Sequence, residues 1–284
     1  MAADPLVARL RTAGCVYAEE EAALLREAAD GAGRPALDRL VDRRVAGEPL
    51  EHVVGWVELG GRRLSVGPGV FIPRQRTRLL ARRALEALPR RPGAVLVEAY
   101  AGVAPVAATV AAGRPDAEVH ACDHDPAALA YARANLADHP RARTHLGDGL
   151  AALPDHLTGR VDVLAAVPPY VPDDARGLLP HGADHEPDVA LLGGADGLDH
   201  VRRLLAATDL LSPEGCVLVE LHRDQAVTAA AYAGARGLAV RTYHGDDGQT
   251  AVLEVRQPHS SAISSKWGAS EVPRMMPEPG VETP

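Results

Sequence analysis

The chain has 284 residues, 46% of them hydrophobic, three cysteines and a formal net charge of −8. That length holds one α/β domain of roughly 180–200 residues plus a smaller unit. The composition argues against several classes: no apolar run approaches the ~20 residues of a membrane span, MAADPLVARL lacks a charged n-region and an apolar h-region so secretion is not expected, and the acid excess argues against nucleic acid as the main partner. Three scattered cysteines fit neither a disulfide framework nor a structural zinc site, so a cytoplasmic protein is expected. The charge is uneven, with 15 Arg against 12 Asp and Glu in residues 1–90.

Taken in chain order, residues 4–46 predict short helices, because Ala, Leu and Val recur at three- and four-residue spacing and glycines close each piece. HVVGWVELGGRRLSV reads as β-structure turning at Gly60-Gly61, and residues 78–88 as a helix. From Ala94 the pattern becomes strand–helix alternation. AVLVEAY, AEVHACD, VDVLAAV and GCVLVEL are strands, and PVAATVAAGR, DPAALAYARANLADH, DHVRRLLAATDLL and RDQAVTAAAYAGAR are helices. Asp125 followed by Pro126 is a favoured helix start. LAVRTYH and TAVLEVR close the chain as a hairpin around GDDGQ. Such alternation implies a mainly parallel sheet covered on both faces. Residues 257–284 lack periodicity and read as a disordered tail.

Ligands of such sheets sit beyond the carboxyl ends of the strands. Three acidic residues fall there: Glu98, Asp123 and Asp148. Together they point to a nucleoside-type ligand, with Asp123 placed to accept hydrogen bonds from ribose hydroxyls. The fourth strand ends in Val167-Pro168-Pro169-Tyr170, where two prolines stiffen the backbone and remove two amide donors.

Over about residues 15–256 the chain resembles the HemK/PrmC family of protein glutamine methyltransferases, which methylate a glutamine side-chain amide in peptide chain release factors. The resemblance is carried by GEPLEHVVGWVELGGRRLSVGPGVFIPR, DVLAAVPPYVPDDA, HEPDVALLGGADGLDHVRRLL and SPEGCVLVELHRDQA. It implies a class I S-adenosylmethionine (SAM) methyltransferase fold: a Rossmann-like α/β sheet over residues 79–256, a small helical domain over 1–50 that helps seat the substrate, and a linking β-hairpin over 51–78. SAM is the implied cofactor. Its expected contacts are Glu98, Tyr100, Ala101, Gly102, Val103, Ala104, Asp123, Asp148 and Gly149. Val167, Pro168, Pro169 and Tyr170 are the expected catalytic segment, and Phe71, Arg74 and Arg76 the expected substrate contacts.

Three departures from the family pattern bear on function. Its GxGxG turn reads Tyr100-Ala101-Gly102-Val103-Ala104 here, so two of three glycines carry a Cβ and Tyr100 adds a ring expected near the methionine part of SAM. Its NPPY asparagine, which with the next carbonyl holds the substrate amide, is Val167. Its FIPRPETE is FIPRQRTR, so Arg76 and Arg78 replace two carboxylates and an anionic ligand becomes an expectation. A methyltransferase with a different small-molecule or protein acceptor is the first reading. A repurposed fold without methyl transfer is the second. No metal site is expected: His120, Cys122 and His124, and the group His181, Asp184, His185 and Glu186, are weak candidates, and Cys216 reads as a core residue.

Overall fold

The computed structural model describes residues 4–179 and 181–258. Four short helices lead: α1 (Pro5–Thr12), α2 (Ala18–Ala28), α3 (Arg34–Val45) and α4 (Leu50–Val54). They close on their own apolar cluster of Leu10, Ala18, Ala22, Leu25, Val41 and Val53. The predicted β-stretch therefore starts late, since His52–Val54 are helical and Gly55, at φ 88°, ends the turn. A left-handed residue there is a common helix stop. The hairpin follows as β1 (Trp56–Leu59) and β2 (Arg62–Ser65), turned by Gly60 and Gly61 at φ 58° and 77°. Two positive-φ residues in a two-residue turn match the twist of the strands.

After α5 (Arg78–Ala87) the main sheet is built from β3 (Val95–Ala99), β4 (Glu118–Asp123), β5 (Ala142–Leu146), β6 (Val161–Ala166), β7 (Leu211–His222), β8 (Ala239–His244) and β9 (Thr250–Arg256). The intervening helices are α6 (Pro105–Gly113), α7 (Pro126–Asn135), α8 (Asp199–Ala206) and α9 (Arg223–Gly234). Strand order is β5-β4-β3-β6-β7-β9-β8, with only β9 antiparallel to its neighbours. Every residue of β3 and β6 is buried, as mostly apolar runs require when helices cover both faces. Helices α5, α6 and α7 pack on one face through Leu80, Val106, Val110 and Leu129. On the other face α8 and α9 bury Leu204, Leu205, Ala229 and Ala233.

The chain leaves β3 in one direction to β4 and β5, then returns to β6 on the other side. That reversal opens a crevice at the carboxyl ends of β3 and β6. The helix predicted over DHVRRLLAATDLL is shorter than expected, stopping at Ala206 before a 3₁₀ turn at Thr208–Leu210. Among the described residues no helix is long and apolar enough to cross a membrane. The tail read as disordered lies, beyond residue 258, outside the described residues.

Candidate active site

Glu98, next to last in β3, is buried. Its carboxylate accepts the N–H groups of Val106 (3.1 Å) and Ala107 (2.6 Å) in the first turn of α6. Burial pushes its pKa up to about 8, against the pull of the two amides and with a further push from Asp123. Glu98 therefore anchors the helix to the strand, although it also reaches the cavity wall. Between them the loop is tied by Ala101 N–H to the Cys122 carbonyl (3.1 Å) and by Gly102 N–H to Asp123 Oδ2 (2.8 Å).

This loop has fewer glycines than the family pattern, yet its backbone is left-handed at all three of the pattern's glycine positions. Tyr100, Gly102 and Ala104 all have positive φ, 53°, 53° and 62°, and Tyr100 and Ala104 are the only described non-glycine residues that do. Each Cβ forced into that region costs about 1–2 kcal/mol. The Tyr100 ring, expected near the methionine part of SAM, lines the cavity and is held from the α8 side. Its hydroxyl bonds His200 Nδ1 (3.2 Å), the rings meet edge to face, and a Cβ on Gly149 would sit 3.6 Å from that hydroxyl. The ring thus leans toward α8 and Gly149, and burial raises its pKa to about 12.

Asp123 ends β4 with its carboxylate almost buried. Oδ2 takes the Gly102 amide, and Oδ1 takes the Asp125 amide at 2.9 Å, with His124 Nδ1 3.3 Å away. Each oxygen keeps lone-pair capacity toward the cavity. Asp125 caps α7 as predicted, accepting Ala127 N–H at 2.8 Å. Asp148 is exposed, and neither it nor Gly149 joins the cavity lining.

The cavity itself measures about 690 Å³. It brings together Phe71, Arg74, Arg76, Glu98, Tyr100–Val103, Asp123 and the whole Val167–Tyr170 segment, while Ala104 contributes buried backbone only. Most of the remaining wall is apolar, from Val70, Ile72, Leu179, Val189 and Leu191, with Pro49 and Glu51 from the N-terminal helical region.

The Pro169 and Tyr170 carbonyls face glycines. A Cβ at Gly193 would overlap the Pro169 oxygen, and one at Gly197 would overlap the Tyr170 oxygen. Gln225 Nε2 donates to the Tyr170 carbonyl (2.8 Å) and to the Asp196 carbonyl (3.1 Å). Gly193, Gly197 and Gln225 were not singled out from sequence; the GGADG cluster was the available signal. Asn135 was also missed. Its side-chain amide bonds both Ser65 backbone groups and the Val103 carbonyl (2.9 Å), which ties the hairpin to the loop after β3.

The two arginines expected to meet substrate differ. Arg74 is committed to Glu186, whose buried carboxylate also accepts Ile72 N–H at 2.9 Å, so it fixes the Phe71–Ile72 backbone. Arg76 donates to Tyr170 Oη (2.5 Å) and sits 3.4 Å from Glu220 Oε1. Glu220 is buried, with Arg76 and the Thr77 side chain as the groups that favour its charged form. Burial raises its pKa to about 7, with Arg76 pulling the other way. Arg78 lies exposed, bonded to the Gln75 carbonyl.

Elsewhere, His120 bonds His145 (2.9 Å) and Glu118 (3.0 Å) within the sheet. Among the described residues no three His, Cys, Asp or Glu side chains converge as a metal site would. Cys216 is buried in β7, as read.

An open seven-stranded sheet with this order and a ligand-sized crevice at the reversal defines a class I methyltransferase fold. A methyltransferase structure from Pyrococcus furiosus superposes with a TM-score of 0.51 at 19% identity, over 70% of this chain and 91% of that one. In sequence, the release factor glutamine methyltransferase of Deinococcus radiodurans is 37% identical over 192 residues, 67% of this chain and 68% of that protein. The chain belongs to the HemK/PrmC family of release factor glutamine methyltransferases. The enzyme of that name from Mycolicibacterium smegmatis is 41% identical over 172 residues, and the match spans 60% of each protein. A 4-amino-L-phenylalanine/4-methylamino-L-phenylalanine methyltransferase from Streptomyces pristinaespiralis is 37% identical over 66% of this chain and 65% of that protein. No family model matches the chain.

Proposed function

We propose that this chain is a SAM-dependent methyltransferase whose acceptor is an amine, not the glutamine amide of a release factor. The observation that carries the reading is the loop after β3. Its three former glycine positions keep a left-handed backbone although two now bear side chains. Strain of that kind persists where the surrounding structure requires the conformation. The residues fit the cofactor on two further counts. Asp123 offers lone pairs where ribose hydroxyls would lie, and a Cβ on Gly102 would meet nothing within 4 Å, so the backbone there faces open space.

When bound, SAM supplies an electrophilic methyl group. Asp123 would hold the ribose, and the 100–104 backbone would line the path to the acceptor. Residues Val167–Tyr170 form the acceptor wall, and Val167 can neither donate to nor accept from an amide. An amide nitrogen is a poor nucleophile that depends on positioning, and its unpaired polar groups would cost about 1–3 kcal/mol, ten- to a hundredfold in binding. An amine needs less help. The relative named for 4-amino-L-phenylalanine supports such an acceptor within this family. Apolar walls from Val70, Ile72 and Leu191 exclude water around the reacting nitrogen. The helical unit over 1–50, the hairpin and linker over 51–78 and the catalytic unit over 79–256 together enclose the acceptor.

A second reading rests on Tyr100, whose ring closes the Gly149 side of the site. There the fold no longer transfers methyl groups and the cavity serves another small molecule. Calorimetric titration with SAM and S-adenosylhomocysteine separates the two. Micromolar binding, with methyl transfer to amines and not to a glutamine-containing release-factor peptide, is the expected result. Silence at millimolar ligand would leave the second reading standing.

A further inference from the structure

We infer that the acceptor carries a carboxylate and that Arg76 is the residue that reads it. This rests on the cavity being a methyltransferase acceptor site, and it names the class of acceptor. Two arginines line the cavity, and they have different work. Arg74 is spent on Glu186, whose side chain is fully buried and also holds the Ile72 amide. Arg76 is 38% exposed, lies beside the Val167–Tyr170 segment and is held from behind. Its Nη2 is bonded to the Tyr170 hydroxyl and its Nε faces Glu220, which leaves guanidinium donors for a ligand.

Glu220 explains why that arginine stays put. Its carboxylate is buried, with Arg76 Nε 3.4 Å away and the Thr77 side chain helping to hold its charge, so the arginine is tethered at the back of the cavity. It is too deep to touch a ligand and does not join the cavity wall. As a positioning residue it fixes the guanidinium plane without saturating it, and a planar fork presented this way suits a carboxylate. A ligand anion arriving at Arg76 favours protonation of Glu220, whose raised pKa leaves that step accessible near neutrality.

The rest of the wall limits the acceptor to one negative charge. Glu51, Asp123 and Asp125 also line the cavity, while burial keeps Glu98 largely protonated near neutrality. Against these, a single free guanidinium matches a monoanion better than a dianionic phosphate. The same acidic residues suit an amine at the far end of the molecule. A carboxylate at one end and an amine at the other describes an amino-acid-like acceptor with an apolar body.

The test compares 4-amino-L-phenylalanine with its carboxamide by calorimetry, in the presence of S-adenosylhomocysteine, on the wild type and on Arg76→Gln. Arg76→Gln strands the buried Glu220 charge and can unfold the chain, so the double variant Arg76→Gln/Glu220→Gln is measured beside it. Expected is an acid bound about tenfold or more tighter than the amide by the wild type, with that preference lost in both variants. SAM affinity should stay within about twofold throughout. Equal binding of acid and amide by the wild type overturns the inference, as does no binding of either at about 10 mM. A variant that weakens SAM instead of the acid overturns it too, because Arg76 would then serve the cofactor. Tighter Arg76-dependent binding of inorganic phosphate has the same force. If the acid preference holds but SAM fails to bind and the same titrations are repeated without S-adenosylhomocysteine, the carboxylate site stands and the methyltransferase reading fails.

Discussion

The two ends of the cavity have changed in opposite ways. At the loop after β3, side chains depart from the family pattern while the backbone is left-handed at each of its glycine positions, Tyr100, Gly102 and Ala104. At the Val167–Tyr170 end the backbone is held by Gly193, Gly197 and Gln225, but the chemistry facing the cavity differs from the family pattern. An amide-binding side chain is gone and a guanidinium stands where the family pattern has a carboxylate. Shape is the shared constraint, and recognition is what has moved. A ligand read mainly by backbone and by one carboxylate tolerates side-chain change in the loop. An acceptor read by side chains does not.

The largest expected effect tests whether the acceptor end depends on a rigid backbone. Gly197 has φ 71°, and a Cβ there overlaps the Tyr170 carbonyl and the Gln225 amide. Both neighbours are fixed, one by two prolines and the other by its bonds to Tyr170 and Asp196. Gly197→Ala should destabilise the fold by about 3 kcal/mol or more, as overpacking and backbone strain add. Urea unfolding reads this as a lower midpoint at unchanged slope. A midpoint shift worth under about 1 kcal/mol would mean that the loop yields and that the segment is not clamped.

Next in size is the exchange that restores the family residue. Val167→Asn should raise methylation of a glutamine-containing release-factor peptide by about ten- to a hundredfold in kcat/KM, the worth of pairing the amide. No gain would shift the block on glutamine to Arg76 or to the wall residues. Either outcome sharpens the contrast between the two ends, because the loop is untouched.

Much of this molecule is visible in its sequence, for physical reasons that differ from region to region. The buried strands declare themselves because burial on both faces demands mostly apolar runs, as in residues 95–99 and 161–166, each interrupted by a single carboxylate, Glu98 and Asp162. Asp125-Pro126 marks a helix start through local capping chemistry, and the structure has that cap. The start of β1 was misplaced because His52–Val54 are β-branched in part, yet packing on the helical cluster decides their state. Side-chain direction was the hardest to read. Whether Tyr100 points to one end of the site or the other depends on His200, one hundred residues away. Glu220, Gln225 and Asn135 also act through partners far away in sequence, so local pattern carries no trace of their roles.

A pH dependence follows from Glu98. Its folded pKa of about 8 lies above the value of 4.5 for an ordinary glutamate. Between those limits the folded chain binds more protons than the unfolded one, so stability is fullest below about pH 4.5 and falls as pH rises to about 8. The contribution reaches about 1.4 kcal/mol per pH unit at its steepest. Glu98→Gln should flatten that slope in thermal melts from pH 5 to 9. An unchanged slope would assign it to Glu220, which is raised for the same reason.

The smallest effect is the most direct test of the loop. Ala104 is buried at φ 62°, so Ala104→Gly relieves about 1–2 kcal/mol of strain. It also removes a buried methyl, worth about 0.8 kcal/mol, and adds about 0.5–1 kcal/mol of chain entropy to the unfolded state. These nearly cancel, and stability should move by less than about 1 kcal/mol. Gly102→Ala lacks the compensation: its Cβ would enter open space, so the backbone cost of about 1–2 kcal/mol stands alone. If the left-handed backbone serves a ligand, only the second change should also weaken SAM, because only its methyl projects where the cofactor would pass. Equal losses from both, or none from either, would mean that the loop keeps its shape for packing alone.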